Sequence, residues 1–236
     1  MNKIDATLLR DFIKKASLNG SIMSINMNFE EDGLHSSVRD FTYVALTNVF
    51  IKRESFAEYQ AIGEIFIKNT LDFMKYLKSF PGNVNIVIDD TYNMTLSNDD
   101  REINVLLGSD IICDNVNRNG SPLITFEAEF DVKKTFLKKA IEDMSTIKIK
   151  SVTITKNADE VKLEVGVFGE SDYFINKDET EHTAEASVKI GSHIIDLFNS
   201  LDNNCRMSVI TDGPLMVVED NEAMDFSCFI APIIEE

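Results

Sequence analysis

The sequence predicts an α+β chain of two similar tandem domains, each with two helices packed on antiparallel sheets. Three observations carry this expectation. Phe12-Ile13-Lys14-Lys15-Ala16 returns as Phe136-Leu137-Lys138-Lys139-Ala140. Leu71-Asp72-Phe73-Met74, followed by Leu77, returns as Ile195-Asp196-Leu197-Phe198, followed by Leu201, at the same offset of 124 residues. Self-similarity at one fixed offset is the trace of a duplicated structural unit, and two helical patterns in one register reinforce each other. Third, each half reads in the order helix, strands, helix, strands. Half of the 236 residues is about 118, long enough to bury a core of its own.

In the first half, Asp5 is a plausible N-cap for a helix over residues 5–18. Its apolar positions are Leu8, Leu9, Phe12, Ile13 and Ala16, with Arg10, Lys14 and Lys15 elsewhere around the turn. Met23, Ile25, Met27 and Phe29 alternate with polar residues as a strand does; the chain turns at Asp32-Gly33 and runs on as strand toward Tyr43-Val44-Ala45-Leu46. A second helix is expected over about residues 68–78. Pro81-Gly82 ends it, because proline cannot donate the next helical hydrogen bond and glycine tolerates the turn. Three strands follow, carried by Val84, Ile86 and Ile88, by Tyr92 to Leu96, and by Ile103 to Leu107.

The second half repeats the order. Asp131 is read as the cap of a helix over residues 131–142 with Val132, Phe136, Leu137, Ala140 and Ile141 on its apolar side. Strands are expected near Ile147 to Thr155, Val161 to Phe168, Tyr173 to Ile175 and Thr183 to Lys189. A short helix over residues 191–201 precedes terminal strands that use Met207, Val209, Leu215, Val217, Phe226 and Phe229. Asp114 to Pro122 is polar, turn-rich and without periodicity. This sets domains at 1–112 and 124–236 with a connector at 113–123.

Charge is distributed unevenly. The four predicted helices hold ten lysines and arginines against six carboxylates, a net +4, whereas the rest of the chain carries −21 and the whole −17. A chain so acidic is repelled by phosphate as a whole. Any nucleic-acid contact must gather the basic helices on one surface and hold the acidic sheets away, as a ring lined by helices would. The plain alternative is that each lysine belongs to the solvated face of an amphipathic helix.

No apolar run approaches the roughly 18 residues of a membrane span, so no membrane association is expected. The start Met1-Asn2-Lys3-Ile4-Asp5 passes straight into an amphipathic pattern, without the apolar core of a signal peptide. Cys113, Cys205 and Cys228 are odd in number and widely spaced, which suits a reducing compartment and argues against disulfides or a zinc site. His35, His182 and His193 are scattered, and the chain has no HxxxH, glycine-rich phosphate loop or GxSxG. No enzymatic activity, cofactor or metal is expected. The acidic clusters Glu30-Glu31-Asp32, Asp89-Asp90 and Asp99-Asp100 read as solvated turns.

The order of elements, the duplication, Tyr43-Val44-Ala45-Leu46, Gly213-Pro214-Leu215-Met216-Val217 and the segment Phe229-Ile230-Ala231-Pro232-Ile233-Ile234-Glu235-Glu236 resemble the DNA sliding clamps of the proliferating cell nuclear antigen (PCNA) type. The resemblance covers the whole chain and extends to a viral or phage branch of the same fold. It implies a processivity factor: three two-domain subunits closing head to tail into a homotrimeric ring that encircles double-stranded DNA without sequence preference. DNA polymerase, the clamp loader and other proteins carrying a clamp-binding peptide are the implied partners. The implied DNA-facing residues are Arg10, Lys14 and Lys15, then Lys75 and Lys78, then Lys134, Lys138 and Lys139. The fourth helix departs from this pattern, offering only His193. The implied peptide pocket is Tyr43, Leu46, Pro214, Phe229, Ala231 and Pro232, beside a connector in which Arg118-Asn119-Gly120-Ser121 replaces the family's apolar residues. Such a protein belongs in the cytoplasm of a prokaryote or infected host cell, or in a eukaryotic nucleus. Two alternatives remain: an acidic interaction protein that mimics DNA, and one subunit of a heteromeric, checkpoint-type clamp.

Overall fold

The computed structural model describes residues 1–108, 124–167, 169, 172–180 and 184–233. The expected connector at 113–123, with Cys113, and also Phe168, His182, Thr183 and Ile234-Glu235-Glu236 lie outside the described residues. The chain divides into two compact units. The first holds described residues 1–40, 47–108 and 221–226, and the second holds 41–46, 124–220 and 227–233.

The first half of the chain runs β1 (Asn2–Asp5), α1 (Ala6–Ala16), β2 (Ile25–Glu30), β3 (Gly33–Arg39), β4 (Ala45–Lys52), β5 (Phe56–Glu58), β6 (Gly63–Ile67), α2 (Thr70–Lys78), β7 (Asn83–Ile88), β8 (Asn93–Ser97) and β9 (Glu102–Leu106). Its strands make a five-stranded antiparallel array, β5-β1-β7-β8-β9, and a second run, β4-β3-β2-β6. Asp5 caps α1 as the sequence indicates, its carboxylate accepting from the N–H groups of Thr7 (2.8 Å) and Leu8 (3.0 Å). Leu9, Phe12, Ile13 and Ala16 are fully buried. Beyond α1, Leu18, Asn19 and Gly20 are left-handed in succession, with φ of 46°, 57° and 93°. A Cβ on Gly20 would lie 2.3 Å from Leu71 Cδ2, so glycine is what lets this turn approach α2, which packs on α1.

The second half runs β10 (Ala128–Val132), α3 (Lys134–Ile147), β11 (Val152–Lys156), β12 (Glu160–Val165), β13 (Phe174–Glu179), β14 (Ala186–Ile190), α4 (His193–Ser200), β15 (Cys205–Val209), β16 (Leu215–Asp220) and β17 (Met224–Ile230). Here the sheets are β13-β12-β11-β14 and the run β10-β15-β16-β17. Helix α3 packs on α4 and on β12 and β13.

The helical repeat is a repeat of core positions. Phe12 and Phe136, Ile13 and Leu137, Ala16 and Ala140, Phe73 and Leu197, and Leu77 and Leu201 are all buried. Asp131, however, does not cap α3. It lies in β10 opposite Arg206, with its carboxylate 3.5 Å from that guanidinium, and α3 starts after Lys133 without a side-chain cap. The offset of 124 carries Ala6 onto Phe130, yet α3 begins at Lys134, about one turn later, and continues through Met144 to Ile147. Residues 143–147, the last of which the sequence pattern assigns to the start of a strand, extend the helix because Met144 continues the buried spacing of Phe136, Leu137 and Ala140.

Candidate nucleic-acid interface and peptide pocket

On α1 the outward positions are Thr7, Arg10, Asp11 and Lys14, spaced by three and four residues along one face. Arg10 lies 3.7 Å from the Asp11 carboxylate, and both side chains are about a third exposed. Lys15 corrects the sequence reading. It is 1% exposed, with Nζ 5.3 Å from the centre of the Phe226 ring, so its charge is covered by protein and is not presented on the α1 face. A lysine in this position spends its methylenes on packing and its ammonium on an aromatic face.

On α2, Asn69 caps the helix by accepting from the Asp72 N–H at 3.1 Å, and its own amide donates to Asp72 at 2.8 Å. Lys75 is well exposed and donates to Asp72 at 2.8 Å; that hydrogen bond, with the carboxylate charge, raises its pKa. Lys78 is exposed in the last turn. The first unit therefore offers Arg10, Lys14, Lys75 and Lys78 from two helices, against Asp11 and Asp72.

The second unit is arranged differently. Lys134 is tethered: Nζ donates to the Asp202 carbonyl at 2.8 Å, and its N–H donates to Asn204 at 3.1 Å. Lys138 and Lys139 are exposed and, among the described residues, make no ion pair. Lys133, which sequence reasoning passed over, is exposed beside them and pairs with Asp178 at 3.1 Å. Helix α4 adds only the half-buried His193, and Asn199 and Asp202 stand where the repeat offset would carry Lys75 and Lys78.

Of the expected pocket residues, Leu46 and Phe229 occupy the half-exposed faces of β4 and β17, between buried neighbours, so neither is a core residue. Tyr43 is 63% exposed in a left-handed turn with φ 59°. The Ala231 N–H donates to the Val44 carbonyl at 2.8 Å, which brings the Tyr43–Leu46 segment to Phe229, Ala231 and Pro232. Pro232 bridges to Ile190, and the Ile233 N–H donates to the Lys189 carbonyl at 2.8 Å. Pro214 enters separately, half-buried at the β15–β16 turn, where the Gly213 N–H donates to Ile210 at 3.0 Å. Phe41, 75% exposed two residues before Tyr43, was not singled out because no periodicity surrounds it.

No family model matches the sequence, and no curated protein does. Solved structures do match along essentially the whole chain. The structure of the C-terminal region of FEN-1 bound to A. fulgidus PCNA matches with a TM-score of 0.84 at 19% identity, covering 100% of both chains. Entamoeba histolytica PCNA matches at 0.81 and 20%, covering 99% of this chain and 98% of its own. The PCNA2–PCNA3 complex of Sulfolobus tokodaii matches at 0.76 and 15%, covering 100% of both. With two helices and antiparallel sheets repeated in each half, the chain has the α+β fold of the proliferating cell nuclear antigens.

Proposed function

We propose that this protein is a DNA sliding clamp, a non-catalytic processivity factor that encircles duplex DNA and tethers replication and repair enzymes. The observation that carries the reading is the full-length fold match together with outward basic residues on three helices of a chain whose net charge is −17. Arg10, Lys14, Lys75, Lys78, Lys134, Lys138 and Lys139 would meet phosphates loosely, giving sequence-independent contact weakened by salt. Association with DNA is then topological more than adhesive.

Ring closure is supported by the sheet edges. Among the described residues, β9 ends one sheet and β13 another, and they carry Leu106 and Ile175, 67% and 46% exposed. Open edges with apolar side chains invite pairing with another copy, and a closed head-to-tail ring removes them. A homotrimer of two-domain subunits, 1–112 and 124–236 joined by the 113–123 connector, satisfies this. Tyr43, Leu46, Pro214, Phe229, Ala231 and Pro232 form the docking pocket for partner peptides of polymerase and loader. The site of action is the cytoplasm, or the nucleus if the source is eukaryotic; among the described residues, no helix is long and apolar enough to cross a membrane.

Light scattering across a concentration series should give a mass of about 80 kDa, three copies of the 26.6 kDa chain. Reversal of Lys14 and Lys138 to glutamate together should abolish stimulation of a polymerase and leave that mass unchanged. Unaltered stimulation defeats the DNA-facing assignment. A monomer at every concentration removes the homotrimer and favours a heteromeric clamp or an acidic DNA mimic.

A further inference from the structure

The sequence presents three acidic turns, and the structure separates one of them from the other two. At Asp89 the carboxylate is consumed locally, accepting from the N–H and hydroxyl of Thr91 and from the N–H of Asn93. Near Asp99-Asp100 the turn is closed by Asn98, which accepts from the N–H groups of Asp100 and Arg101. The β2–β3 turn instead meets a histidine. Glu30, Asp32 and His35 each place a ligand atom within 4.8 Å of the others.

The β-hairpin register creates this arrangement. Asn28 pairs with His35, so Asn28, Glu30 and His35 share one face, and Asp32 folds back from the turn to set its Oδ1 2.8 Å from His35 Nε2. His35 is more than nine-tenths buried, and its ring is stacked on Phe50 at 4.2 Å and 11°, which fixes where Nε2 points. The backbone beneath is pinned. The Tyr59 hydroxyl lies 2.7 Å from the Glu30 carbonyl and 2.6 Å from that of Gly33, and the Arg53 N–H donates to the Asp32 carbonyl at 3.0 Å. A Cβ on Gly33 would fall 2.1 Å from the Ile51 carbonyl oxygen, so the start of β3 lies too close to β4 to admit a side chain there. Asn28 holds Glu30 through Oε1 at 2.6 Å. Asp32, 61% exposed, is the ligand most open to solvent.

We propose that Glu30, Asp32 and His35 form a binding site for a divalent metal ion of the zinc class. One imidazole nitrogen and two carboxylate oxygens suit zinc better than magnesium or calcium, which take oxygen ligands. Three protein ligands leave a coordination position for water. Bonds of about 2.0–2.1 Å put tetrahedral ligand atoms roughly 3.3 Å apart, so the Asp32–His35 separation must widen by about half an ångström, and the exposed Asp32 side chain can supply that rotation. The local field favours a cation. Glu31, next to Glu30 and Asp32 in the same turn, adds a third carboxylate. Arg53, whose guanidinium lies 5.9 Å from the Tyr59 ring centre, is the nearby cation a metal would have to tolerate.

The test is titration of the full chain with Zn²⁺, and with Co²⁺ as its spectroscopic probe. One equivalent should bind, the melting temperature should rise, and Co²⁺ should give visible d–d bands without thiolate charge transfer and should shift the His35 imidazole protons. Asp32→Asn, at an exposed position that leaves the fold intact by circular dichroism, should weaken binding at least tenfold, and His35→Gln should do the same. Absence of saturable one-equivalent Co²⁺ binding overturns the proposal. So does full affinity in Asp32→Asn, which does not depend on whether the buried His35 variant folds.

Discussion

The two units bury equivalent residues and expose different ones. Phe12 and Phe136 anchor the first helix of each, and Phe73 and Leu197 the second. On the outside, the first unit spreads its cations over both helices and neutralises part of them locally, through Arg10 with Asp11 and Lys75 with Asp72. On its helices the second presents Lys138 and Lys139 without an ion pair among the described residues, holds Lys134 against Asp202, and leaves α4 without a lysine. After duplication, the core is held by close packing, which punishes changes of volume. Surface charge is free to redistribute, because no packing depends on it. Exposed ion pairs contribute only about 0–1 kcal/mol of stability, so the difference in surface is functional in origin or neutral, but not structural.

Truncation of the equivalent cores should cost the most stability. Phe12→Ala and Phe136→Ala should each cost about 3–5 kcal/mol, with Phe12 at the upper end because it is fully buried while Phe136 is 5% exposed. Chemical denaturation reads the loss, and a near-neutral result at either site would deny that the helices anchor equivalent cores. The caps come next, and here the units should diverge. Asp5→Ala removes two hydrogen bonds and should cost about 1 kcal/mol, whereas Lys133→Ala should leave α3 nearly unchanged, since no side-chain cap exists there. Equal losses would show that the two helices start alike after all.

The smallest effect is in acid. Hydrogen bonds from Thr211 to Glu127, and the Lys162 ammonium beside Glu160, hold those two carboxyls of the second unit below their ordinary 4.5. In the first unit, the Asn93 N–H and then Thr91 hold Asp89 below 3.8. A depressed carboxyl adds stability above its unfolded pKa and loses it as pH falls through the folded value. The contribution of Glu127 and Glu160 should therefore fade as pH falls below about 4.5, and that of Asp89 only as it falls below about 3.8. Residue-resolved amide exchange on a descending pH series checks the order.

The long amphipathic helices and regular alternating strands were legible because their period outlasts noise. Strands β1, β5, β6 and β10 were not read. They are three to five residues long, and Asn2–Asp5 also ends in the very residue that caps α1. Asp131 misled because a carboxylate before an apolar run resembles a cap, but the ladder with Arg206 holds that backbone extended. Lys15 carried a signal that went unused: it follows Leu8 by seven residues and so shares its line along α1, at the border of the apolar side. His35 could not be joined to Glu30 and Asp32 from spacing alone, because cross-strand register, unlike helical period, is set by a partner strand. The basic face and the Leu46–Phe229 surface were legible as residue types, and the structure added their exposure.

Residues 221–226 group with the first unit although they come late in the chain. Phe226 covers the Lys15 ammonium, and the Ala223 carbonyl accepts from the Lys52 N–H at 3.2 Å. A growing polypeptide leaves the ribosome from its N-terminus, and domains ordinarily fold in that order. Here the last segment of the amino-terminal unit is withheld until most of the second has been synthesised, so that unit is completed only late in translation.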